Sequence, residues 1–371
     1  MPYPLLALFF CVLCLLSNAE PSEGGATVIY GGFAFAGRND QVNAAYPYSF
    51  KFDTDAKPGS SALEEASRNL IQKFSPSLKT TEIIFGDTDK TSCPRVLALA
   101  LTEERVLRES IGDFYKLVVQ LGFEIIVLDF TDKQVVCSLP IFIELIDAKK
   151  SEFSEQDIVD RVASMVQGPE SQLGEVISRK LAQLRIRAND ARTLRVTSVT
   201  VGEKALPFLP ESMRDHSTMY SQAVAQQFGS LLSSQAGVAL LPYTKDAANS
   251  KMTLRFKSGD AVQFKIPEPT FGISLDVKGF KKVLDKQTDA ESLWIYGAWL
   301  GLKVIEPPAF GKKVYFETTV KYPVTKLVPA SQQSVDEFPV VSEALKGAQL
   351  LAIEAIQKDK IAKGVILKCK L

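Results

Sequence analysis

The sequence has very few of the residues that build common catalytic and metal centres. It contains one histidine, His216, and five cysteines among 371 residues. A zinc site needs several histidine or cysteine ligands, and a Ser-His-Asp triad would have to use His216, which follows Asp215 at a predicted helix start. The G-x-S-x-G pattern of serine hydrolases does not occur. These absences predict a chain without metal or cofactor and favour a non-enzymatic role.

An excess of charge of one sign is also lacking. The 43 Lys and Arg residues balance 43 Asp and Glu residues, and no long run of Lys or Arg occurs. No net electrostatic field therefore attracts nucleic acid or anionic lipid, and we expect no nucleic-acid partner.

The chain is rich in apolar residues. A 46% hydrophobic content with 22 Phe suffices for two cores in domains of about 150 residues each.

The first 19 residues carry no charged side chain, and residues 5–16 form a continuous apolar block. Ser17-Asn18-Ala19 follows as a small-x-small triplet, which is typical of a signal-peptide cleavage site. The block is shorter than the roughly 20 residues that a membrane-spanning helix needs. We predict export to the periplasm or the outer-membrane periphery. Because residues 1–4 lack Lys and Arg, a retained N-terminal anchor is the alternative, and it would be the only membrane contact.

Cleavage of that segment would leave three cysteines, Cys93, Cys137 and Cys369. An odd number in an exported chain permits one disulfide and one remaining thiol. A bridge between Cys93 and Cys137 would stabilise the fold by about 3–4 kcal/mol if its geometry were relaxed. Buried, unpaired cysteines in a sheet are the other interpretation of the same pattern.

The two halves of the sequence follow the same order of predicted elements: strand, amphipathic helix, short apolar strand, β-rich stretch and helix. The matching helices are at 61–74 and 216–234, the short strands at 82–85 and 238–241, and the β-rich stretches at 94–147 and 293–328. We predict an internal duplication. The expected fold class is α/β (α+β), with two similar domains, each a mixed, largely antiparallel sheet with helices packed on it.

The predicted boundaries follow from this order. They are a signal peptide at 1–19, a first domain at 20–168, a helical connector at 169–190, a second domain at 191–360 and a C-terminal strand or tail at 361–371. An insertion at about 244–289 interrupts the second domain. It contains a predicted hairpin around residues 257–260 and a predicted short helix at 277–285.

Aromatic residues cluster in two places. The members are Phe33, Phe35, Tyr46 and Tyr48 near the first strand, and Trp294, Tyr296 and Trp299 within one strand of the second half. Both faces of that second strand are apolar, which indicates a central strand covered on each side. The clusters therefore predict either core packing or a surface that binds a partner.

Residues 238–243 (VALLPY) follow a helix that ends at Gly237, and residues 293–300 (LWIYGAWL) open a long hairpin. This pattern, over about 190–360, resembles the periplasmic α/β domain of the curli-secretion lipoprotein, of the Tol propeller protein's N-terminal domain and of the lipoprotein activators of peptidoglycan synthases. In the first half, residues 96–101 (VLALAL) lack the corresponding glycine. The resemblance implies non-enzymatic docking to other envelope proteins, without shared active-site residues.

These patterns predict an exported, non-enzymatic envelope protein that serves as a scaffold or binding component of a periplasmic or outer-membrane assembly. Its partners would be other envelope proteins or a second copy of itself. Two alternatives stay open. A periplasmic hydrolase would need two facing carboxylates in a cleft, one of them with a raised pKa. A small-molecule binding protein would need a large apolar cavity between the halves.

Overall fold

The computed structural model describes residues 26–37, 42–54, 60–78, 81–86, 94–111, 113–184, 186, 192–215, 217–244, 250–256, 261–307, 313–332 and 335–369. The predicted signal peptide, Cys93 and His216 lie outside these residues. None of the helices in the described ranges is long and apolar enough to cross a membrane.

The first half builds a mixed sheet around one long meander. Its strands are β1 (Ala26–Ala36), β2 (Thr81–Ile84), β3 (Arg95–Ile111), β4 (Phe114–Asp129) and β5 (Gln134–Lys149). Strand β1 lies between β2 and β3 and is parallel to both, whereas β3, β4 and β5 are antiparallel neighbours. The short connections between β3, β4 and β5 permit only antiparallel pairing, as the sequence predicted.

Helices cover one face of this sheet. They are α1 (Val42–Ala45), α2 (Pro47–Thr54), α3 (Ala62–Phe74), α4 (Glu155–Val166) and α5 (Gln172–Leu181). The Ser61 hydroxyl accepts the Glu64 amide and starts α3, and Ser154 with Asp157 forms a capping box at the start of α4. The polar composition of residues 38–57 predicts a loop or irregular edge. That expectation is wrong where α1 and α2 form, because the buried side chains of Val42 and Tyr46 anchor this stretch on the first core.

The second half has a similar order of elements around its own sheet. Its main elements are β6 (Leu194–Lys204), α6 (Glu211–Asp215), α7 (Ser217–Ala236), β9 (Phe271–Gln287), β10 (Glu291–Ile305), β11 (Val314–Pro329), α8 (Phe338–Lys358) and α9 (Lys360–Lys368). The strand order is β11-β10-β9-β6, with β6 parallel to β9 and the rest antiparallel. Strands β1 and β6 thus occupy equivalent places beside their meanders. Common descent of the two halves stays a prediction.

Two predicted elements of the second half are wrong. Residues 277–285 were expected to be a short helix but belong to β9, whose buried residues alternate along Phe271, Ile273, Leu275 and Val277 before the strand continues. The C-terminal stretch was expected to be a strand or tail but forms α9. The Asp359 carboxylate caps this helix by accepting the amides of residues 361 and 362, and its buried residues recur at helical spacing.

A hairpin from the second half completes the first sheet. Strand β7 (Lys251–Phe256) pairs with β1, and β8 (Ala261–Lys265) pairs with β7 and meets β5. The strands β1-β3-β4-β5-β8-β7 therefore close into a ring around a small apolar core that includes Ala100, Leu254 and Phe264. The hairpin lies within the predicted insertion at 244–289, so this insertion is built onto the sheet of the other half.

Helix α7 and the segment after it also join the halves. Helix α7 packs against β5, β6 and α8. The backbone of Leu240 exchanges two hydrogen bonds with Ser138 in β5, at 2.7 and 2.9 Å, and the Leu241 amide donates to the Leu194 carbonyl in β6 at 2.8 Å. The region between the ring and α7 is thus enclosed by both halves.

Candidate functional site: a cavity between the two halves

A cavity of about 1120 Å³ opens between the ring of the first sheet and α7. Strands β3, β4, β5 and β7 of the ring contribute lining residues on one side, and α7 and the residues after it contribute the others. Its volume slightly exceeds the usual range of about 300–1,000 Å³ for small-molecule sites. The cavity exists only because elements from both halves meet there.

A bulge in β3 turns polar side chains toward this cavity. The register between β3 and β4 shifts between Leu101 and Glu103, so that Thr102 is the extra residue and Glu103 pairs with Gly122. Thr102, Glu103 and Glu124 all line the cavity. Before the bulge, the β3 residues on this face are the apolar Ala98 and Ala100 of the ring core.

A glycine lets α7 approach this polar wall. The Gln226 side-chain amide of α7 donates to the Thr102 hydroxyl, which donates to the Gly122 carbonyl at 3.0 Å. A Cβ atom at Gly122 would lie 2.5 Å from Gln226 Nε2. The glycine therefore holds open the space that the Gln226 amide occupies, and this chain of hydrogen bonds ties the two walls together.

Glu103 is paired with a cation. Its carboxylate forms a salt bridge with Arg105, and Arg105 Nη1 also donates to Gln120 Oε1 at 3.0 Å. Burial raises the pKa of Glu103 above its ordinary value, and the positive charge of Arg105 partly offsets that rise. Glu103 Oε2 is buried without a hydrogen-bond partner among the described residues.

Within the described part of the chain, no cation pairs with Glu124. Burial raises its pKa to about 7, and the neighbouring Ser138 hydroxyl offsets this only in part. Glu124 Oε2 and Ser138 Oγ are buried and have no hydrogen-bond partner within the described ranges. An unsatisfied buried carboxylate is expensive to keep in a folded protein, so its position in a cavity wall marks a candidate binding or catalytic group.

Glu104 and Tyr46 are two further ionisable residues that line the cavity. The Glu104 carboxylate accepts the backbone amides of Tyr48 and Ser49 in α2, at 2.9 and 2.7 Å. The Tyr46 hydroxyl donates to the Ala36 carbonyl at 2.7 Å, and burial, followed by the charges of nearby glutamates, raises the pKa of Tyr46. Both side chains are thus already satisfied by the protein.

The rest of the cavity is largely apolar. Three of the five methionines of the chain, Met213, Met219 and Met252, line it together with other apolar residues. The others include Val196, Ala225, Leu240, Leu241 and Ile266. Because methionine is flexible and polarisable, such a wall adapts to different apolar shapes. No group of three or more His, Cys, Asp or Glu side chains in the described part of the chain could hold a metal ion.

The predicted aromatic cluster of the first half divides between core and cavity. Phe33 and Phe35 are buried in the first core, where their rings meet edge to face. Tyr46 lines the cavity. Tyr48 packs at the margin of that core, and its hydroxyl accepts a hydrogen bond from Arg108 at 2.9 Å. An interaction role for this cluster stays a prediction.

The second cluster lies on both faces of β10. Tyr296 is fully buried in the second core, and Trp294 packs against that core with Lys282 Nζ 4.2 Å from its ring centre. Trp299 is half-buried on the opposite face, with Lys321 Nζ 5.7 Å from its ring centre.

Cys137 is a buried free cysteine in β5. Since Cys93 lies outside the described residues, the predicted bridge between the two is untested.

Glu103, Glu124 and Gln226 were not among the predicted site residues. One signal was available for Glu124, because it interrupts a strand that is apolar on both faces, residues 117–128 (LVVQLGFEIIVL). A charged side chain buried in such a strand is costly unless it is paired, so it marks a candidate functional residue. No comparable signal exists for Gln226, whose neighbours in α7 give no hint that it faces Thr102.

No family model and no curated protein matches this sequence. Three solved structures resemble about half of it: a neuraminyllactose-binding hemagglutinin homolog from Helicobacter pylori, a Xanthomonas campestris protein of the DUF330 family and a minor lipoprotein from Acinetobacter baumannii. They cover 50, 47 and 46% of this chain and 97, 86 and 94% of their own, at 12, 11 and 10% identity and TM-scores of 0.29, 0.22 and 0.20. Similarity at this level assigns no function.

Proposed function

We propose that this chain is an exported binding protein that holds a small amphipathic molecule in the cavity between its two halves. The observation that carries the proposal is a cavity of about 1120 Å³ whose lining combines three methionines with a buried glutamate, Glu124, whose Oε2 has no hydrogen-bond partner among the described residues. Apolar surface with a few oriented polar groups is the usual composition of a small-molecule site.

The proposal accounts for a feature that a purely structural role leaves unexplained. Glu124 is 7% exposed and its Oε2 lacks a partner among the described residues, so it destabilises the fold unless something else binds it. An aliphatic residue at this position would pack without that penalty. Proteins retain such groups mainly where function requires them.

Export is part of the proposal and is supported by the apolar block at residues 5–16 and the small residues that follow it. A binding protein in the cell envelope also agrees with the predicted role as a binding component of an envelope assembly. Whether it has protein partners, or associates with a second copy, is tested by crosslinking in intact envelopes followed by identification of the captured chains.

The binding function is tested with a neutral apolar fluorophore, N-phenyl-1-naphthylamine, titrated into the full chain. We expect saturable binding with one site per chain. Met252→Trp places bulk in the cavity wall and should abolish this binding, whereas Leu327→Trp, at an exposed position of β11, should leave it unchanged. Circular dichroism verifies that both variants fold. Failure of the wild-type chain to bind, or equal binding by all three proteins, would refute the proposal.

A second candidate function is hydrolysis with two carboxylates. The observation that favours it is that Glu124, with its pKa raised to about 7, shares the cavity with Glu103. A protonated carboxyl near neutral pH serves as a general acid, and a second, ionised carboxylate serves as base or nucleophile. Turnover of 4-methylumbelliferyl glycosides that both Glu124→Gln and Glu103→Gln abolish would establish this reaction in place of simple binding.

A further inference from the structure

We infer that the molecule bound in the cavity carries a primary ammonium group, which Glu124 holds, on an apolar chain or ring. This inference rests on the proposed binding function and names the chemical class of its ligand. Three properties of the cavity support it: the hydrogen-bonding capacity of its polar residues, the charges that line it and the composition of its apolar residues.

The unsatisfied groups of the polar wall need hydrogen-bond donors. Glu103 Oε2 and Glu124 Oε2 are buried acceptors without a partner among the described residues, and Ser138 Oγ, also unpartnered there, can accept as well. A ligand that offers only acceptors would leave these oxygens unpaired, at a penalty for each. An ammonium group offers three N–H donors and matches this set, whereas a quaternary ammonium group offers none.

The charges around the cavity favour a single positive charge. Glu103 is neutralised by Arg105, and Glu104 is satisfied by two backbone amides of α2. Glu124 is the remaining carboxylate of the lining, and no cation pairs with it among the described side chains. The other cationic residue of the lining, Lys251, has an exposed side chain at the start of β7. A carboxylate ligand would bring a second negative charge beside Glu124 and be repelled.

The apolar wall is less selective than the polar one. Met213, Met219 and Met252 offer flexible thioether side chains rather than a rigid pocket. Discrimination should therefore come from the head group, while the apolar part can vary in shape. This division predicts that head-group changes alter affinity far more than changes in chain length.

Isothermal titration of four ten-carbon probes tests the inference. Below their micellar concentrations at pH 8, decylammonium should bind at least tenfold more tightly than decanol and decyltrimethylammonium, and decanoate should bind most weakly. Glu124→Gln should lower decylammonium affinity at least tenfold and leave decanol affinity unchanged. Glu317→Gln removes an exposed carboxylate that is paired with Lys303 and should alter neither.

The outcomes separate this inference from the proposed function. Equal affinity for decylammonium and decanol, or tightest binding of decanoate, overturns the ligand class even though cavity binding, blocked by Met252→Trp, would stand. Absence of binding for all four probes and for the neutral fluorophore overturns both. The comparison of the four probes on the wild-type chain remains decisive if Glu124→Gln does not fold.

Discussion

Glu109 in β3 and Lys326 in β11 form a buried ion pair that connects the two halves. Lys326 Nζ lies 3.1 Å from Glu109 Oε1, and the same oxygen accepts the Asp336 amide at 3.2 Å. The side chains of Glu109 and Lys326 are only 4% and 16% exposed. Glu109 also has Lys116 Nζ at 3.9 Å from its Oε2, whereas loss of Glu109 would leave the Lys326 charge with the Asp336 carbonyl at 3.3 Å and little access to water.

We predict that Glu109→Gln lowers the free energy of unfolding by about 3 kcal/mol, because it leaves the Lys326 charge uncompensated. Glu317→Gln, at the exposed pair with Lys303, is the matched control and should change it by less than about 1 kcal/mol. Urea unfolding monitored by circular dichroism measures both. Adding Lys326→Met to Glu109→Gln should recover part of the loss, and similar effects of the two single variants would contradict the prediction.

Lys180 in α5 should make stability depend on alkaline pH. Its side chain is 2% exposed, its Nζ donates to the Ser230 carbonyl of α7 at 3.3 Å, and burial lowers its pKa to about 7. Between pH 7 and 10.5 the unfolded chain therefore binds more protons at this residue than the folded chain does. This residue makes stability rise with pH across that window, by about 1.4 kcal/mol per pH unit.

The variant Lys180→Met should accordingly be more stable than the parent at pH 7, and the gain should shrink toward pH 10. Lys73→Met, at an exposed position of α3, is the control and should shift stability by less than about 0.5 kcal/mol at either pH. Chemical denaturation at a series of pH values measures the effect. A gain that does not vary with pH would show that Lys180 is charged in the folded state.

Glu124 should make stability fall as pH rises, which is the opposite of the effect of Lys180. Since its folded-state pKa is raised to about 7, from an ordinary value near 4.5, the folded state binds the extra proton between these two values. The stability associated with the protonated group is fully present below pH 4.5 and is lost as pH rises through 7. Glu124→Gln should therefore stabilise the free protein by about 2–3 kcal/mol at pH 8 and hardly at all at pH 4. Glu317→Gln serves again as the exposed control in the same denaturation series.

Two helical glycines should respond to alanine with opposite signs. A Cβ at Gly347 in α8 would overlap the ring of Tyr322 in β11, whereas a Cβ at Gly364 in α9 meets nothing within 4 Å. We predict that Gly347→Ala destabilises by about 1–3 kcal/mol through overpacking. Gly364→Ala should stabilise by about 0.5–1 kcal/mol through helix propensity. Thermal unfolding of both variants measures the two effects. If both substitutions stabilise the protein, the Tyr322 ring moves aside without cost and the prediction for Gly347 is wrong.

The caps and periodicities of individual elements could be predicted because their causes are local. Ser61 and Ser154 cap α3 and α4 by accepting amides three residues further along the chain, and the β-rich stretch predicted at 293–328 contains the β10–β11 hairpin of the second half. Two errors, at residues 277–285 and in the last helix, arose where apolar spacing alone was ambiguous. Residues 277–285 form a strand and not a helix because β9 pairs with both β6 and β10.

The candidate site could not be predicted, since its residues come from both halves. Thr102 faces Gln226 only because a bulge in β3, a glycine in β4 and the packing of α7 coincide. None of these is visible in a local pattern of residues. A cavity between the halves was one of the alternatives that the sequence left open, but no local pattern marked the glutamates that line it.

The class of fold and the order of most elements could be predicted from the amino-acid sequence, because capping and periodicity depend on a few neighbouring residues. The scarcity of histidine-based chemistry follows directly from composition. The closure of the first sheet's ring by the hairpin β7–β8, and the burial of Glu124 in a cavity wall with no partner for its Oε2 among the described residues, follow from the three-dimensional packing alone. Desolvation and long-range pairing depend on which surfaces meet, and that information emerges only when the whole chain has folded.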